Sequence, residues 1–444
     1  YLVTFAKERN LEVYQDSHYN VIIIKEASEG YESAAPLILQ GHMDMVCEQD
    51  STSSINMEQE GLELAVDGDE IYAKGTTLGA DDGIAVAYAL ALLDSSTLQH
   101  PRLEFVCTVA EEVGMDGARA LDISPLQGRQ LLNLDSEDEG IALAGCAGGG
   151  TALLTLPLNR ASLTDKEKYL VPVEIGITGL LGGHSGSEID KGRANADYEL
   201  AEVLQTLKSQ MEYRLLDFSG GNKDNAIPRE AMASIYVQPE DKERLQEMIS
   251  KINQRKQQKY ALTDPEYKIV VTIGKENEKV VPEGINMLSE NSTTTVVDFI
   301  VALPNGVQEM SLEVEGLVQT SLNLGKVRIH SEEAKLSLVY SLRSSKGVSF
   351  EKLSAQVNQI ATQFQAAVKY DGIYPAWEYV VHSPLRDRMC LLYEQKYHKK
   401  MTIEVIHAGL ECGLLAGKLK ELDAVSIGPD MKDIHTTQER LSIS

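Results

Sequence analysis

Short apolar runs alternate with longer stretches of helical character along the first third of the chain. The runs at 36–41, 103–110 and 131–134 predict buried strands, and the alanine-rich segment 84–93 predicts a buried helix. Strands that alternate with helices in this way form a mostly parallel sheet with helices on its faces. We therefore predict an α/β fold for residues 1–148.

The pattern changes beyond a glycine-rich segment at 145–150, which is a natural hinge. Residues from about 150 to 374 combine alternating strands, such as 171–177, with polar amphipathic helices near 241–257. Near 371–375 the chain returns to the first domain. We therefore predict a discontinuous domain of residues 1–148 and 375–444, and an inserted α+β lid domain of residues 149–374.

Polar residues that can bind a metal follow the first strand and begin the first helix. His42 and Asp44 point to the same side of an extended chain, which suits a metal ligand and the carboxylate that orients its imidazole. Asp81 and Asp82 lie where free N–H groups and the helix dipole favour anions. Taken alone, the first pair also fits a structural histidine and the second a doubled helix cap.

Three further segments repeat this arrangement. Glu111 and Glu112 follow the strand at 103–110, and adjacent like charges in a partly buried place are costly unless a positive group lies beside them. Asp135 ends the next apolar run, and His435 lies almost at the end of the chain. One carboxylate of such a set can bind metal while another takes a proton from water. Together these segments indicate a two-metal hydrolytic site.

The composition limits the partners and the compartment. A net charge of −26 over 444 residues argues against nucleic acid or an anionic membrane as a partner. No apolar run approaches the roughly 20 residues that span a bilayer, and no signal-peptide pattern is found. The five cysteines are scattered and lack Cys-x-x-Cys spacing, which favours reduced thiols. We therefore expect a cytoplasmic protein.

Eight sequence elements, taken in order, resemble a known enzyme family. They are GHMDM, GADDG, AEEVG, NLDSE, GGHSG, GGNKDNAIPRE, HAGLECG and GPDMKDIHT. Over nearly its whole length the chain resembles the di-zinc aminoacylase and carboxypeptidase group, most closely its aminoacyl-histidine dipeptidase branch. This branch is also called cytosolic nonspecific dipeptidase or peptidase D. Its members usually carry a further helix at each end, so we expect this chain to be a fragment.

The resemblance implies a metallopeptidase that hydrolyses Xaa-His and other unblocked dipeptides with two Zn²⁺ ions, for which Co²⁺ or Mn²⁺ could substitute. Asp81 would bridge the two ions. His42 and Asp135 would complete one metal site, and Glu112 and His435 the other.

The remaining roles in the first, metal-binding domain also come from the resemblance. Glu111 would be the general base, and Asp44 would orient the metal-binding histidine. A cis peptide bond is expected between Asp81 and Asp82. Glu411 would hold the free amino group of the substrate.

In the inserted domain, the resemblance makes three residues candidates for substrate contacts. His184, in a glycine-rich frame, would stabilise the oxyanion that develops on the scissile carbonyl. Asn225 and Arg343 would hold the substrate, since an arginine fork suits a carboxylate. An exposed loop histidine and a surface arginine are the alternatives. The domain would serve as a lid and a dimerisation-type domain, which allows a homodimer.

Two other functions remain open at this point. The same scaffold hosts N-acyl amino acid deacylases, which are amidohydrolases, and the second alternative is a catalytically silent metal-binding relative. Glu411 favours a dipeptidase, because a carboxylate near the amino end selects a free amine over an acylated one. The complete set of ligands and the base argue against a silent protein.

Overall fold

The computed structural model describes residues 1–161, 169–274 and 287–444. The chain divides into two compact units. Unit 1 comprises Tyr1–Cys146 and Pro375–Ser444, and unit 2 comprises Ala147–Tyr374. In the described part of the chain, no helix is both long and apolar enough to span a bilayer.

The first part of unit 1 supplies most of its strands. In chain order its elements are α1 (Leu2–Glu8), β1 (Glu12–Gln15), β2 (Val21–Lys25), β3 (Leu37–His42), β4 (Leu64–Asp67), β5 (Glu70–Ala73), α2 (Ala80–Asp94), β6 (Leu103–Thr108), α3 (Asp116–Ala120), β7 (Gln130–Asn133) and β8 (Ile141–Cys146).

Unit 2 is richer in long strands. Its elements are β9 (Gly148–Pro157), β10 (Arg160–Ala161), β11 (Val171–Thr178), β12 (Gly183–His184), α4 (Ala196–Lys208), β13 (Tyr213–Gly220), β14 (Ala226–Ile227), β15 (Ala231–Val237), α5 (Lys242–Lys259), β16 (Lys268–Ile273), β17 (Met287–Leu288), α6 (Glu290–Ala302), β18 (Gly306–Met310), β19 (Val318–His330), β20 (Lys335–Ser344), α7 (Gly347–Gln363) and β21 (Ala367–Tyr374). Short 3-10 turns lie at Ile189–Lys191 and Pro239–Asp241.

The chain then returns to unit 1. The last elements are α8 (Pro384–Tyr397), β22 (Thr402–Ile406), α9 (Glu411–Lys418), β23 (Asp423–Ser426), β24 (Met431–Lys432) and β25 (Arg440–Ser442).

The main sheet of unit 1 has the strand order β1-β2-β6-β3-β7-β23-β8-β22. Its central pairs β6-β3, β3-β7 and β7-β23 are parallel, as is β8-β22 at one edge. The other three pairs are antiparallel. The predicted α/β fold with a mostly parallel central sheet is therefore confirmed.

Alternating side chains of this sheet pack against helices on its two faces. Ile38 joins an apolar cluster with residues of α9, whereas the next residue, Leu39, joins a cluster with α1 and α2. A strand turns successive side chains to opposite faces, so a strand buried on both sides must be apolar throughout. This explains why β2, β3 and β6 are near-continuous hydrophobic runs.

A small second sheet of unit 1 has the order β24-β25-β5-β4. Met431 of β24 and Leu441 of β25 pack with Ala80, the first residue of α2. This contact brings the end of the chain to the start of α2, although the two segments are far apart in sequence.

Unit 2 contains an antiparallel sheet of order β16-β11-β15-β13-β19-β20-β9-β21, with β18 paired to β19. Its helices share one large apolar cluster with the strands, which includes Leu200, Phe218 and Phe299. The predicted α+β character of this region is confirmed. A short separate ladder joins β12 to β14 and carries His184 opposite Ala226.

Candidate active site

The five predicted metal ligands converge in unit 1, around the carboxyl ends of its parallel strands. They are His42 at the end of β3, Asp81 in the first turn of α2, Glu112 beyond β6, Asp135 beyond β7, and His435 between β24 and β25. Two sets of ligand atoms, one from His42, Asp81 and Asp135 and the other from Asp81, Glu112 and His435, each lie within 4.8 Å of one another. Asp81 belongs to both sets.

The buried side chain of His42 has one ring nitrogen fixed by Asp44. Nδ1 lies 3.0 Å from the main-chain oxygen of Asp44 and 3.5 Å from Oδ1 of its carboxylate. Because a carbonyl oxygen only accepts hydrogen bonds, Nδ1 carries the proton. The other nitrogen, Nε2, lies 3.0 Å from Oδ1 of Asp81 and 3.4 Å from Oδ1 of Asp135. The main-chain oxygen of Asp44 is thus closer to the ring than the carboxylate that the sequence singled out.

The Asp81 carboxylate presents a different oxygen to each histidine. Oδ1 faces His42, and Oδ2 lies 3.1 Å from Nε2 of His435. The same nitrogen of His435 is 3.1 Å from Oε2 of Glu112. One carboxylate therefore lies between two imidazoles, as a ligand shared by two ions must.

The acids and imidazoles of this cluster shift one another's pKa values. Burial alone lowers the pKa of His42, but hydrogen bonds to the surrounding carboxylates, led by Asp135, outweigh burial and raise it. Hydrogen bonds to Asp81 and Glu112 raise the pKa of His435 to about 10. Burial raises the pKa of Asp135 to about 6. The carboxylates therefore favour the protonated form of both imidazoles, whereas burial favours the neutral form of Asp135.

The donor atoms of the cluster fit a divalent metal ion. Carboxylate oxygens and imidazole nitrogens are ligands that zinc accepts. Oε1 of Glu112 is buried and has no hydrogen-bond partner among the described residues. A buried carboxylate oxygen without a donor is costly unless a cation lies against it.

Asp82 lies beside Asp81, but its carboxylate binds the backbone of β3. Its Oδ2 accepts a hydrogen bond of 3.1 Å from the main-chain N–H of His42. A Cβ atom on Gly41 would lie only 2.4 Å from this oxygen, so the close approach needs glycine there. The peptide bond between Asp81 and Asp82 is cis, which confirms that prediction.

The Asp44 carboxylate holds the turn that carries the two glutamates. It accepts hydrogen bonds from the main-chain N–H groups of Glu111 and Glu112, each at 3.1 Å. Ala110, just before this turn, has a φ of +54°, a conformation that occurs at functional sites when the surroundings hold it in place. Burial, and then the charge of Asp135, raise the pKa of Glu111 to about 8.

Glu411, the predicted partner of the substrate's amino group, lies buried at the start of α9. Its side chain is 0% exposed. One carboxylate oxygen accepts hydrogen bonds from Thr108 and Gln40, which lie on β6 and β3. The other oxygen, Oε1, has no partner within the described ranges. Burial raises the pKa of this carboxyl to about 7.

In unit 2, the backbone around His184 sets its tautomer. The main-chain N–H groups of Gly186 and Ser187 donate to Nδ1, at 3.3 and 3.1 Å. An imidazole nitrogen that accepts N–H donors carries no proton, so in the neutral ring Nε2 is the donor. Burial, and then the charge of Arg343, lower the pKa of His184. A neutral ring with a donating Nε2–H is therefore favoured.

The two other predicted residues of unit 2 lie near His184. Asn225 adjoins the β12-β14 ladder, where its main-chain oxygen accepts a hydrogen bond from the N–H of Ser185 at 2.8 Å. Arg343 is only 8% exposed. It donates to the hydroxyl of Tyr374 at 3.2 Å, and its Nε has no partner among the residues described. No acidic side chain in the described ranges forms an ion pair with it.

One buried acid near the cluster was not predicted from the sequence. Glu439 is 3% exposed, and its carboxylate binds the backbone just before Asp81. The only sequence signal is an acid four positions after His435, which is too common a pattern to single out.

Comparison with known proteins shows which proteins the chain is similar to. A family model described as a peptidase dimerisation domain matches residues 175–264. The cytosol non-specific dipeptidase of Escherichia coli strain K12 is 34% identical over 444 residues, which cover 100% of this chain and 89% of that protein. The crystal structure of aminoacylhistidine dipeptidase from Vibrio alginolyticus has a TM-score of 0.88 and 34% identity, over 100% of this chain and 88% of that one.

A more distant structure shares the fold alone. The aminopeptidase PepT from Bacillus cereus has a TM-score of 0.51 and 15% identity, over 100% of this chain and 87% of that one.

Proposed function

The chain belongs to the cytosol non-specific dipeptidase family and is a peptide-bond hydrolase, and from this premise we propose that it hydrolyses Xaa-His and other unblocked dipeptides with two Zn²⁺ ions per chain. The observation that carries the proposal is the Asp81 carboxylate, which offers one oxygen to the His42 group and the other to the His435 group.

Five residues would hold the ions. His42 and Asp135 would hold one, Glu112 and His435 the other, and Asp81 both. Two bound ions would polarise the scissile carbonyl and make water a better nucleophile at neutral pH. Co²⁺ or Mn²⁺ would serve as substitutes, since they accept the same oxygen and nitrogen donors.

Glu111 would act as general base and then as general acid. It would take a proton from the attacking water and deliver it to the leaving amine. Support comes from its position, since one carboxylate oxygen of Glu111 lies within 4.8 Å of ligand atoms of His42 and Glu112. Asp44 would keep it in place through the N–H groups of the turn.

Unit 2 would bind and stabilise the substrate through His184, Asn225 and Arg343. The Nε2–H of His184 would donate to the carbonyl oxygen as negative charge grows there. The Arg343 guanidinium is nearly buried, and its Nε has no hydrogen-bond partner among the described residues. A buried charge is costly until it is paired. The C-terminal carboxylate of a dipeptide would supply that partner, and an amide such as Asn225 would add a hydrogen bond.

Glu411 would recognise the free amino group through Oε1, the oxygen that has no hydrogen-bond partner in the described structure. An ammonium group next to a buried carboxylate is stabilised by charge, whereas an N-acyl group offers no charge and takes more space. This selection would separate a dipeptidase from a deacylase.

The protein would work as a cytoplasmic homodimer. The match of residues 175–264 to a peptidase dimerisation domain supports association through unit 2. The cytosolic location of the Escherichia coli relative and the five free cysteines support a reducing compartment.

A comparison of blocked and unblocked substrates tests the proposal. Zinc-loaded protein should hydrolyse an Xaa-His dipeptide, lose this activity with a chelator and regain it with zinc, and leave the N-acetylated dipeptide and N-acetyl amino acids intact. Glu111→Gln, prepared in parallel, controls for contaminating peptidases. Release of acetate would identify a deacylase, and absence of any turnover with zinc bound would identify a silent relative.

A further inference from the structure

The buried carboxylate of Glu439 accepts hydrogen bonds from three consecutive backbone N–H groups. Oε2 accepts from Leu78 at 2.6 Å and from Gly79 at 2.9 Å, and Oε1 accepts from Ala80 at 2.8 Å. All four residues belong to unit 1. Since the side chain is 3% exposed, water does not compete effectively for these bonds.

Two of these N–H groups, those of Gly79 and Ala80, lie at the start of α2, and the N–H of Leu78 lies just before it. The N-cap position of α2 is Gly79, with a φ of +71°, and no side chain within the helix caps it. The first N–H groups of a helix have no partner inside the helix, and buried donors without a partner are costly. Glu439 therefore performs from a distant segment the capping role that Ser, Thr or Asp performs locally in most helices.

The capped segment leads directly into Asp81. Asp81 and Asp82 have non-helical backbone angles, so the α2 helix does not by itself determine where the Asp81 carboxylate points. The peptide units of residues 78–80 lead into Asp81, so their position determines the position of the Asp81 backbone. Any shift of that segment would move Oδ1 and Oδ2 relative to the two histidines.

Glu439 also lies on the segment that carries His435. It occupies the turn between β24 and β25, four positions after the histidine, and its N–H donates to the main-chain oxygen of Thr436. A single carboxylate therefore joins the segments that present Asp81 and His435, two members of one candidate ligand group.

We infer that Glu439 is a positioning residue of the metal centre: it holds the Asp81 carboxylate between His42 and His435 and so raises the affinity for the ions. The inference rests on the proposed function of this centre. Outer residues that orient metal ligands change affinity by about 10–100-fold when they are replaced.

Glu439→Gln is the informative substitution because it keeps the size of the side chain. An amide has one acceptor oxygen, and its NH₂ group would face at least one backbone N–H as a second donor. Glu439→Asp keeps the charge but is shorter by one methylene, so we expect an intermediate effect. Glu70→Gln is the matched control, since Glu70 pairs with exposed Lys432 in the same small sheet, and the described structure shows no hydrogen bond from its carboxylate to residues 78–80.

The measurement is zinc affinity by competition with a chromophoric chelator, together with thermal unfolding of the metal-free proteins. We expect Glu439→Gln to bind at least one ion about 10–100-fold more weakly than the wild type, and Glu70→Gln to bind as the wild type does. If Glu439 had only a structural role, Glu439→Gln would lower the unfolding midpoint of the metal-free protein but leave the zinc affinity of the folded protein unchanged. That result would overturn the inference.

Hydrogen exchange of the wild-type protein covers the case in which the variant does not fold. The N–H groups of Leu78, Gly79 and Ala80 should be strongly protected, and exchange at the rate of an unstructured peptide would overturn the inference. The two proposals fail separately. A wild-type protein that binds no zinc refutes the metal centre, whereas normal zinc binding by wild type and Glu439→Gln alike refutes only the role of Glu439.

Discussion

Glu111 and Glu112 are neighbours in sequence, yet the geometry predicts opposite consequences for replacing each by glutamine. Both substitutions keep the shape of the side chain. Both also keep the two main-chain N–H groups that bind the Asp44 carboxylate at 3.1 Å, so the turn itself should be preserved. The comparison therefore isolates the two carboxylates.

For Glu111→Gln, we expect kcat to fall by about 10²–10⁴-fold, the usual loss for a general base. This corresponds to about 3–5 kcal/mol of activation free energy. Zinc content should remain that of the wild type, because Glu111 is outside both ligand groups that contain Asp81. The substituted amide cannot take a proton from water at neutral pH.

For Glu112→Gln, we expect the main effect to be a loss of zinc affinity. Oε2 lies 3.1 Å from Nε2 of His435, and Oε1 has no partner among the described residues, so the whole carboxylate is available to a cation. Removing this charge should lower the affinity for the ion beside His435. The loss should exceed the roughly 10–100-fold that follows when a residue that only orients a ligand is replaced.

The assay combines kcat on an unblocked dipeptide at saturating zinc with elemental analysis after equilibration against a chelator. Excess zinc should restore much of the activity of Glu112→Gln and none of that of Glu111→Gln. If Glu111→Gln lost zinc while Glu112→Gln kept it, the roles within the pair would be reversed. If both lost zinc equally, the assignment of a base in this pair would be wrong.

Three further substitutions test unit 2. His184→Ala should lower kcat by about 10²–10³-fold with zinc content unchanged, and a near-normal kcat would remove it from the mechanism. Arg343→Ala should mainly raise KM for dipeptides with a free C-terminal carboxylate; an equal effect on amidated dipeptides would refute the assigned contact. Asp197 is fully buried without a hydrogen-bond partner for its carboxylate among the described residues, and burial raises its pKa. The folded state therefore retains a proton that the unfolded state releases, so the free energy of unfolding should fall as pH rises above the ordinary range of Asp, by up to about 1.4 kcal/mol per pH unit. Asp197→Asn should remove this contribution, so the free energy of unfolding from urea denaturation should fall less steeply between pH 5 and 8 than in the wild type, and identical slopes would contradict the argument.

The sequence predicted the parts of the site that depend on local pattern. His42 and Asp135 lie at the ends of apolar runs that predict buried strands, and parallel strands bring their carboxyl ends to one edge of the sheet. The α/β class and the inserted α+β region follow from the same reading of hydrophobic periodicity. These features were predictable because each depends on a few consecutive residues.

The rest of the site depends on contacts between segments far apart in sequence. The pattern alone could not choose between Asp81 and Asp82, because the choice is made by the hydrogen bond from the His42 backbone to Asp82. The sequence placed Glu411 at the start of a helix, but it could not show that Thr108 and Gln40 bind one of its carboxylate oxygens, because these partners lie on distant strands. Glu439 was missed because its partners lie about 360 positions earlier.

The central claim is that Asp81 is shared by two ions. The most direct test is a calorimetric titration of the metal-free protein with zinc, with the number of bound ions checked by elemental analysis. Three carboxylates and two imidazoles exceed the four ligands of one tetrahedral site. We predict two zinc ions per chain for the wild type, and one for Asp135→Asn and for His435→Ala. A wild-type protein that binds a single ion or none, with all five side chains intact, would contradict the account.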